Sequence, residues 1–91
     1  MDVRIIDYGK DGDSYFVCYD VFHLESNQME YLNDNLEEES NIEGDILRIR
    51  MFFDEELYPF QSEVAKSRLD DFIAREEIEM NVFLSSFLED M

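Results

Sequence analysis

The chain has 91 residues, the length of one domain, and its 45% hydrophobic and 14% aromatic content suffices for a packed core, which disordered acidic tails lack. It carries 24 Asp and Glu against 7 Lys and Arg, which gives a formal net charge of −17. The net charge of a small soluble domain usually has a magnitude of about 2 to 8. This charge argues against direct binding of nucleic acids or anionic membranes, and no apolar run is long enough for a membrane span.

A β-hairpin is predicted at the start of the chain. Residues Asp2 to Asp7 suit a strand, and Gly9 to Asp13 have turn chemistry, since Asp-Gly supplies the positive φ of a tight hairpin. Ser14 to Phe22 predict a second strand. Its alternating apolar positions place four residues on one face: Tyr15, Val17, Tyr19 and Val21.

A helix and a third strand are predicted next. Ser26 can cap a helix from Asn27 to about Glu38, because polar N-cap side chains satisfy free backbone N–H groups. Asn41 to Gly44 are expected to break the helix. Ile46 to Phe53 then alternate in the manner of a strand.

The last third of the chain is predicted to be helical. Pro59 marks a turn, Gln61 to Glu76 form one helix, and Glu77 to Asp90 form a second helix or continue the first as one bent helix. The second part has an amphipathic repeat formed by Met80, Phe83, Leu84, Phe87, Leu88 and Met91. We therefore predict a single acidic α+β domain over residues 1–91, in which a small antiparallel sheet of order β-β-α-β-α-α is covered by helices.

The acidic residues are distributed unevenly. From Asp11 to Leu47 there is no Lys or Arg, although Glu and Lys four residues apart stabilise a helix by a few tenths of a kcal/mol. Glu37 to Glu39 are expected in the last turn of the first helix, where the helix dipole disfavours negative charge. Arg48 and Arg50 share a strand face and are expected to pair with acids of the same chain. Many carboxylates thus stay uncompensated, which indicates a use for their charge.

Carboxylates on a folded surface can replace nucleic-acid phosphates in the basic groove of a binding protein, because phosphate contacts dominate affinity there. The residues predicted to contact such a partner are acids near the first helix and the third strand, with two aromatic anchors: Glu30, Asp34, Glu37, Glu38, Glu39, Glu43, Asp54, Glu55, Glu56, Tyr31 and Tyr58. In size, composition and charge asymmetry the chain resembles the DNA-mimic inhibitors of phages and mobile elements. The resemblance implies an acidic inhibitor that occupies the groove of a nuclease or other defence protein.

The sequence predicts no catalytic, metal or cofactor site. His23 is the one histidine and Cys18 the one cysteine, too few for a zinc site. His23 is expected to be packed or capping, and Cys18 a buried inert thiol. Asp7, Asp11 and Asp13 lack the spacing and closing Glu of a calcium loop. We therefore expect a protein that is not an enzyme and needs no cofactor.

Other readings stay open. The same properties resemble immunity proteins, which implies an immunity or adaptor protein that neutralises a cationic toxin or enzyme by direct binding. A domain of a generally acidic proteome would have no basic partner. A homodimer through the last helix is a further alternative, which charge repulsion disfavours at low salt. One cysteine fits a reducing compartment, so we expect a cytoplasmic protein, in the host cell if it is phage-encoded.

Overall fold

The computed structural model describes residues 1–53 and 66–91, with the backbone alone for residues 66–69. The described part contains, in chain order, β1 (Asp2–Asp11), β2 (Ser14–Phe22), α1 (Ser26–Asn35), β3 (Glu39–Glu43), β4 (Ile46–Phe53) and α2 (Lys66–Glu89). These strands form an antiparallel sheet in the order β1-β2-β4-β3. The predicted α+β fold is confirmed, while the observed order of elements is β-β-α-β-β-α. The predicted turn at Pro59 lies outside the described residues.

The first hairpin is longer than predicted. Gly9 to Asp11, expected in the turn, instead pair with β2 as far as Ser14. The turn is limited to Gly12 and Asp13, and Gly12 has the positive φ of 63° that glycine adopts without strain. A two-residue turn of this kind matches the twist of antiparallel strands, so the ladder continues to the tip of the hairpin.

A β-bulge in β1 forms a contact with α2. The register against β2 shifts between Ile5 and Asp7, a local irregularity that leaves Ile6 46% exposed. The Ile5 backbone N–H donates a hydrogen bond to Glu77 Oε2 at 2.9 Å. An outer edge strand exposes unpaired N–H groups, and here α2 satisfies one of them, which joins the helix to the edge of the sheet.

The first helix ends earlier than predicted, at Asn35 rather than about Glu38. The following Leu36 is extended, with ψ at 139°, and its N–H donates to the Leu32 carbonyl at 2.9 Å. Three successive carboxylates, Glu37 to Glu39, would have met the negative end of the helix dipole. The helix ends before them, and the repulsion is avoided.

A strand that the sequence analysis missed follows this helix. Glu39–Glu43, which overlap the predicted break at Asn41 to Gly44, form β3 and pair with β4. Gly44, with φ at 62°, lies in the turn between them. The polar sequence of β3 lacks an apolar face, which suits a short edge strand. Ser40 Oγ also donates to Asn33 Oδ1 at 2.9 Å, which links β3 to α1.

Both helices pack on one face of the sheet. The buried core combines residues from three strands and both helices: Val3, Tyr15, Val17, Tyr19, Val21, Met29, Leu32, Leu47, Ile49, Met80 and Leu84. The described part of the last third is one continuous helix, α2, rather than two. Its amphipathic repeat is confirmed at Met80 and Leu84, whereas Phe83 and Met91 of the same repeat are exposed.

The opposite face of the sheet holds charged side chains in paired form. Asp20, 6% exposed, accepts two hydrogen bonds from Arg48, at 2.8 Å from Nε and 3.1 Å from Nη2. Arg48 Nη1 also lies 3.1 Å from Glu43 Oε2. The Asp20 hydrogen bond and charge raise the pKa of Arg48 above its ordinary value. The expected internal pairing of the third-strand arginines is thus confirmed for Arg48.

Two residues weighed for chemistry lie near this face. Cys18 is buried, as predicted, at 5% exposure. His23 is exposed rather than packed, with a positive φ of 62°, and its Nδ1 lies 2.6 Å from Asp2 Oδ2. The turn that reverses the chain after β2 places His23 at the surface, so its prediction as a packed or capping residue was wrong.

Candidate functional site

The predicted contact residues lie in three parts of the structure. Glu30 and Asp34 are exposed on α1, and their i, i+4 spacing places them as neighbours on one helix face. Glu37 and Glu38 lie in the connection from α1 to β3, the first exposed and the second half-buried. Glu39 and Glu43 lie on β3. Four further predicted residues lie outside the described part of the chain: Asp54, Glu55, Glu56 and Tyr58.

Tyr31 and the acids of β3 are already engaged within the fold. Tyr31 is half-buried and packs against the core. Glu43 pairs with Arg48, and Glu39 lies opposite Arg50 in the register of the two strands. The Arg50 guanidinium in turn lies 4.9 Å from the ring centroid of Phe16. The charge on β3 is therefore offset by the arginines of the neighbouring strand.

The acids of α1 are not offset in this way. We call Glu30, Asp34 and Glu37 the α1 acidic surface. Among the described side chains, the acids that lie within ion-pair distance of a basic group are Asp2, beside His23, and Asp20 and Glu43, beside Arg48. None of these belongs to the α1 acidic surface. The nearest basic residues along the chain lie beyond Asp11 and Leu47. This surface therefore presents its charge to solvent.

A second group of acids lines a cavity between α2 and the sheet. We call it the acidic cleft; its volume is about 200 Å³, and its lining consists of Tyr19, Glu38, Met51, Glu76, Glu79, Met80 and Phe83. Tyr19 and Met51 come from the helix-covered face of the sheet, and Glu38 from the connection after α1. The α2 residues recur at i, i+3, i+4 and i+7, which is one face of a helix. Three acidic residues thus line one cleft together with apolar side chains.

The electrostatics of the acidic cleft are unfavourable for ionised carboxylates. Partial burial raises the pKa of Glu76, and the nearby Glu79 carboxylate raises it further. The Tyr19 hydroxyl donates a hydrogen bond to Glu76 Oε2 at 3.4 Å, and this bond and the Arg75 charge lower the pKa in part. The balance is a raised pKa, because desolvation and a like charge both disfavour the charged form.

We expect Glu76→Gln to stabilise the protein at pH 7 and to have no such effect at pH 3. Since the pKa of Glu76 is raised in the folded state, the fold binds this proton more tightly than the unfolded chain does. The stability contributed by that proton is present below the unfolded pKa of about 4.3 and is lost as the pH rises through the folded value. Thermal unfolding at both pH values measures the difference.

Glu30→Gln is the matched control for this prediction, because it removes the same charge from an exposed position in the interior of a helix, α1. A gain in melting temperature for Glu76→Gln that exceeds the Glu30→Gln gain at pH 7 locates the effect in the acidic cleft. Equal gains would attribute it to the net charge of the chain and contradict the prediction.

Glu76 and Glu79 were not among the predicted contact residues. Their spacing contained the necessary information. Glu76 lies four residues before Met80, and Glu79 lies four residues before Phe83, so the two acids continue the amphipathic repeat of α2. A carboxylate on an apolar helix face indicates a half-buried charge. The contributions of Tyr19 and Met51 depend on the packing of α2 against the sheet and have no counterpart in the sequence.

Within residues 1–53 and 66–91, no group of three or more His, Cys, Asp or Glu side chains has an arrangement that could hold a metal ion. No helix in the described part of the chain is both long and apolar enough to cross a membrane.

The chain belongs to a family of unknown function, DUF5750, whose family model matches residues 2–90. The match covers nearly the whole chain, including both helices and the strands described above. No curated protein matches the sequence.

Proposed function

We propose that this member of the family is a non-enzymatic acidic inhibitor that acts as a DNA mimic. It occupies the basic nucleic-acid-binding groove of a host protein, such as a nuclease or another defence protein, in the cytoplasm. The α1 acidic surface and the acidic cleft make the contacts. The predicted residues after β4 (Asp54, Glu55, Glu56 and Tyr58) remain part of the proposed contact set.

One observation supports this proposal above the others: among the described side chains, Arg48 of β4 forms ion pairs within the fold, whereas the acids of α1 form none. Arg48 is held by Asp20 and Glu43, while the described ion pairs do not involve Glu30 or Asp34. Basic grooves that bind nucleic acids recognise rows of negative charge and release counterions when they are neutralised. Carboxylates fixed on a helix about 5 to 6 Å apart supply such a row.

The acidic cleft favours a second candidate function. Met51, Met80 and Phe83 give it an apolar floor. A phosphate backbone has no apolar surface of this kind, so the floor is not explained by mimicry of DNA. An immunity or adaptor protein would use such a cleft to bind side chains of a cationic toxin or enzyme directly, away from any nucleic-acid site. Interface cores of this kind combine aromatic and methionine contacts with a few charges.

Competition with DNA separates the two candidates. The chain is immobilised, incubated with a lysate of the organism that encodes it or of that organism's host, and washed with duplex DNA of 20 base pairs. We expect the bound partner to be released by the duplex and to be eluted by moderate salt, because charge attraction between exposed groups is screened. Release by DNA supports the DNA-mimic function.

A partner that stays bound in excess DNA, or that forms a ternary complex with DNA and the chain, would contradict the mimic and support the immunity or adaptor function. The control is the same resin carrying Glu30→Gln/Asp34→Gln/Glu37→Gln, which removes the charge of the α1 acidic surface while these solvent-exposed positions leave the core unchanged. Equal recovery on both resins would contradict a role for the α1 acidic surface.

A further inference from the structure

The acidic cleft has two kinds of lining that together fit one type of group. Met51, Met80 and Phe83 supply apolar and aromatic surface, and three acidic residues, Glu38, Glu76 and Glu79, line the same space. Phe83 is 37% exposed and contacts Phe87 edge-to-face at a centroid distance of 5.0 Å. The aromatic ring at the cleft wall is thus both accessible and supported from behind.

The size of the acidic cleft restricts its occupant. Its volume of about 200 Å³ is below the range of roughly 300 to 1,000 Å³ that is typical of pockets for small molecules and cofactors. A single side chain from another protein fits this scale better than a metabolite. The apolar floor suits the aliphatic stem of a long side chain, whose charged end would then meet the carboxylates.

A positive occupant would offset the charges of the acidic cleft, which the Tyr19 hydroxyl and Arg75 offset only in part. Among the residues that line it, Tyr19 donates a hydrogen bond to Glu76, while Glu76 and Glu79 remain close enough to raise the pKa of Glu76. Holding like charges together in a half-buried site costs free energy. A cation in the cleft would remove that cost, and burial of the pair would strengthen the attraction.

We propose that the acidic cleft binds the guanidinium group of one arginine of the basic partner. This inference rests on the proposed function, which supplies a partner with a basic surface. A guanidinium is planar, so it stacks on an aromatic ring while it donates paired hydrogen bonds to carboxylates. The same protein contains this type of contact on its other sheet face, where Arg50 lies over Phe16. Arginine is also among the residues that most often dominate interface energy.

Methyl NMR with a small probe tests the cleft without the partner. The chain is labelled at the methionine ε-methyl groups and titrated with N-acetyl-arginine methylamide, with the lysine and citrulline analogues as parallel probes. Citrulline keeps the planar shape of arginine without its charge. We expect the arginine probe to shift the signals of Met51 and Met80 and to leave Met91, which is outside the cleft, unchanged. Glu76→Gln/Glu79→Gln is expected to weaken the arginine response about tenfold.

The control variant is Asp13→Asn/Asp90→Asn, which removes the same number of charges from a hairpin turn and from the end of α2 and should leave the arginine response intact. Equal signal shifts with the arginine and citrulline probes would overturn the proposal, as would an equal loss of the arginine response in both variants. An equal signal shift with the lysine probe would overturn the assignment to arginine. The NMR titration and the DNA competition can fail independently. A partner released by DNA but no response to the arginine probe would contradict the cleft alone, whereas a partner not released by DNA would contradict the mimic alone.

Discussion

The variant Glu30→Lys/Asp34→Lys/Glu37→Lys is expected to bind the DNA-competed partner on the order of 100-fold more weakly than the original chain. Reversal of the α1 acidic surface replaces attraction to a basic groove with repulsion, at about 1 kcal/mol for each of the reversed residues. The affinity of the original chain should fall steeply as salt rises, and that of the variant should fall less. Titration calorimetry at two salt concentrations measures both effects.

A second triple variant controls for net charge. Asp13→Lys/Asp45→Lys/Asp90→Lys also changes the net charge by six units, from −17 to −11, but at two hairpin turns and at the end of α2. We expect this variant to keep most of the affinity, because the contact depends on where the charge lies. Equal losses in both variants would show that the total charge alone attracts the partner, and the α1 acidic surface would have no special role.

The strands and helices that bury apolar residues were predictable from the sequence. In β2 the alternation of Tyr15, Val17, Tyr19 and Val21 predicted one core face, and all four side chains are buried. The α2 repeat predicted burial of Met80 and Leu84 by the same argument. Burial of a periodic apolar face is the strongest relation between sequence and structure. The predictions that depended on it were confirmed for these residues, whereas Phe83 and Met91 of the α2 repeat are exposed.

The element that was missed has no such periodicity. β3 has the sequence Glu39–Glu43, ESNIE, and four of its five residues are exposed. Its backbone hydrogen bonds to β4 hold it in place rather than side-chain burial, and nothing in a polar pentapeptide distinguishes an edge strand from a loop. The acids Glu37 to Glu39 argued against a helix that extends to Glu38, since the helix dipole disfavours negative charge at a helix C-terminus. The helix ends before them, at Asn35.

The candidate site was predictable in part, for the same reason. Acids without basic neighbours in the sequence, such as Glu30 and Asp34, are also without ion pairs in the described structure, because helix neighbours are close in sequence. The acidic cleft brings together Glu38, Tyr19 and Glu76, which are far apart in the chain. The sequence pattern of α2 places Glu76 and Glu79 on its amphipathic face, but only the packing of α2 against the sheet brings Tyr19 and Glu38 to the same cleft.

The same packing makes the core and the surface charge interdependent. Leu84, 0% exposed, fixes α2 to the sheet, and Leu84→Ala is expected to cost about 3 kcal/mol because it removes buried methyl groups and leaves a cavity. For a domain of this size, that loss corresponds to a fall of about 15 °C in the melting temperature. Val82→Ala, at a position that is 62% exposed, should change the melting temperature by a few degrees at most.

Salt should restore part of the stability that Leu84→Ala removes. The net charge of −17 opposes the compact state through self-repulsion, and 0.5 M NaCl shortens the screening length to a few ångströms. We expect the melting temperature of Leu84→Ala to rise between 10 mM and 0.5 M NaCl, as does that of the original chain, and to rise less when Glu30→Lys/Asp34→Lys/Glu37→Lys is added. A melting temperature that does not depend on salt in any of these proteins would mean that the carboxylates are already neutralised within the fold. A surface of that kind has no free charge to offer a basic groove, so this stability measurement also tests the physical basis of the proposed function.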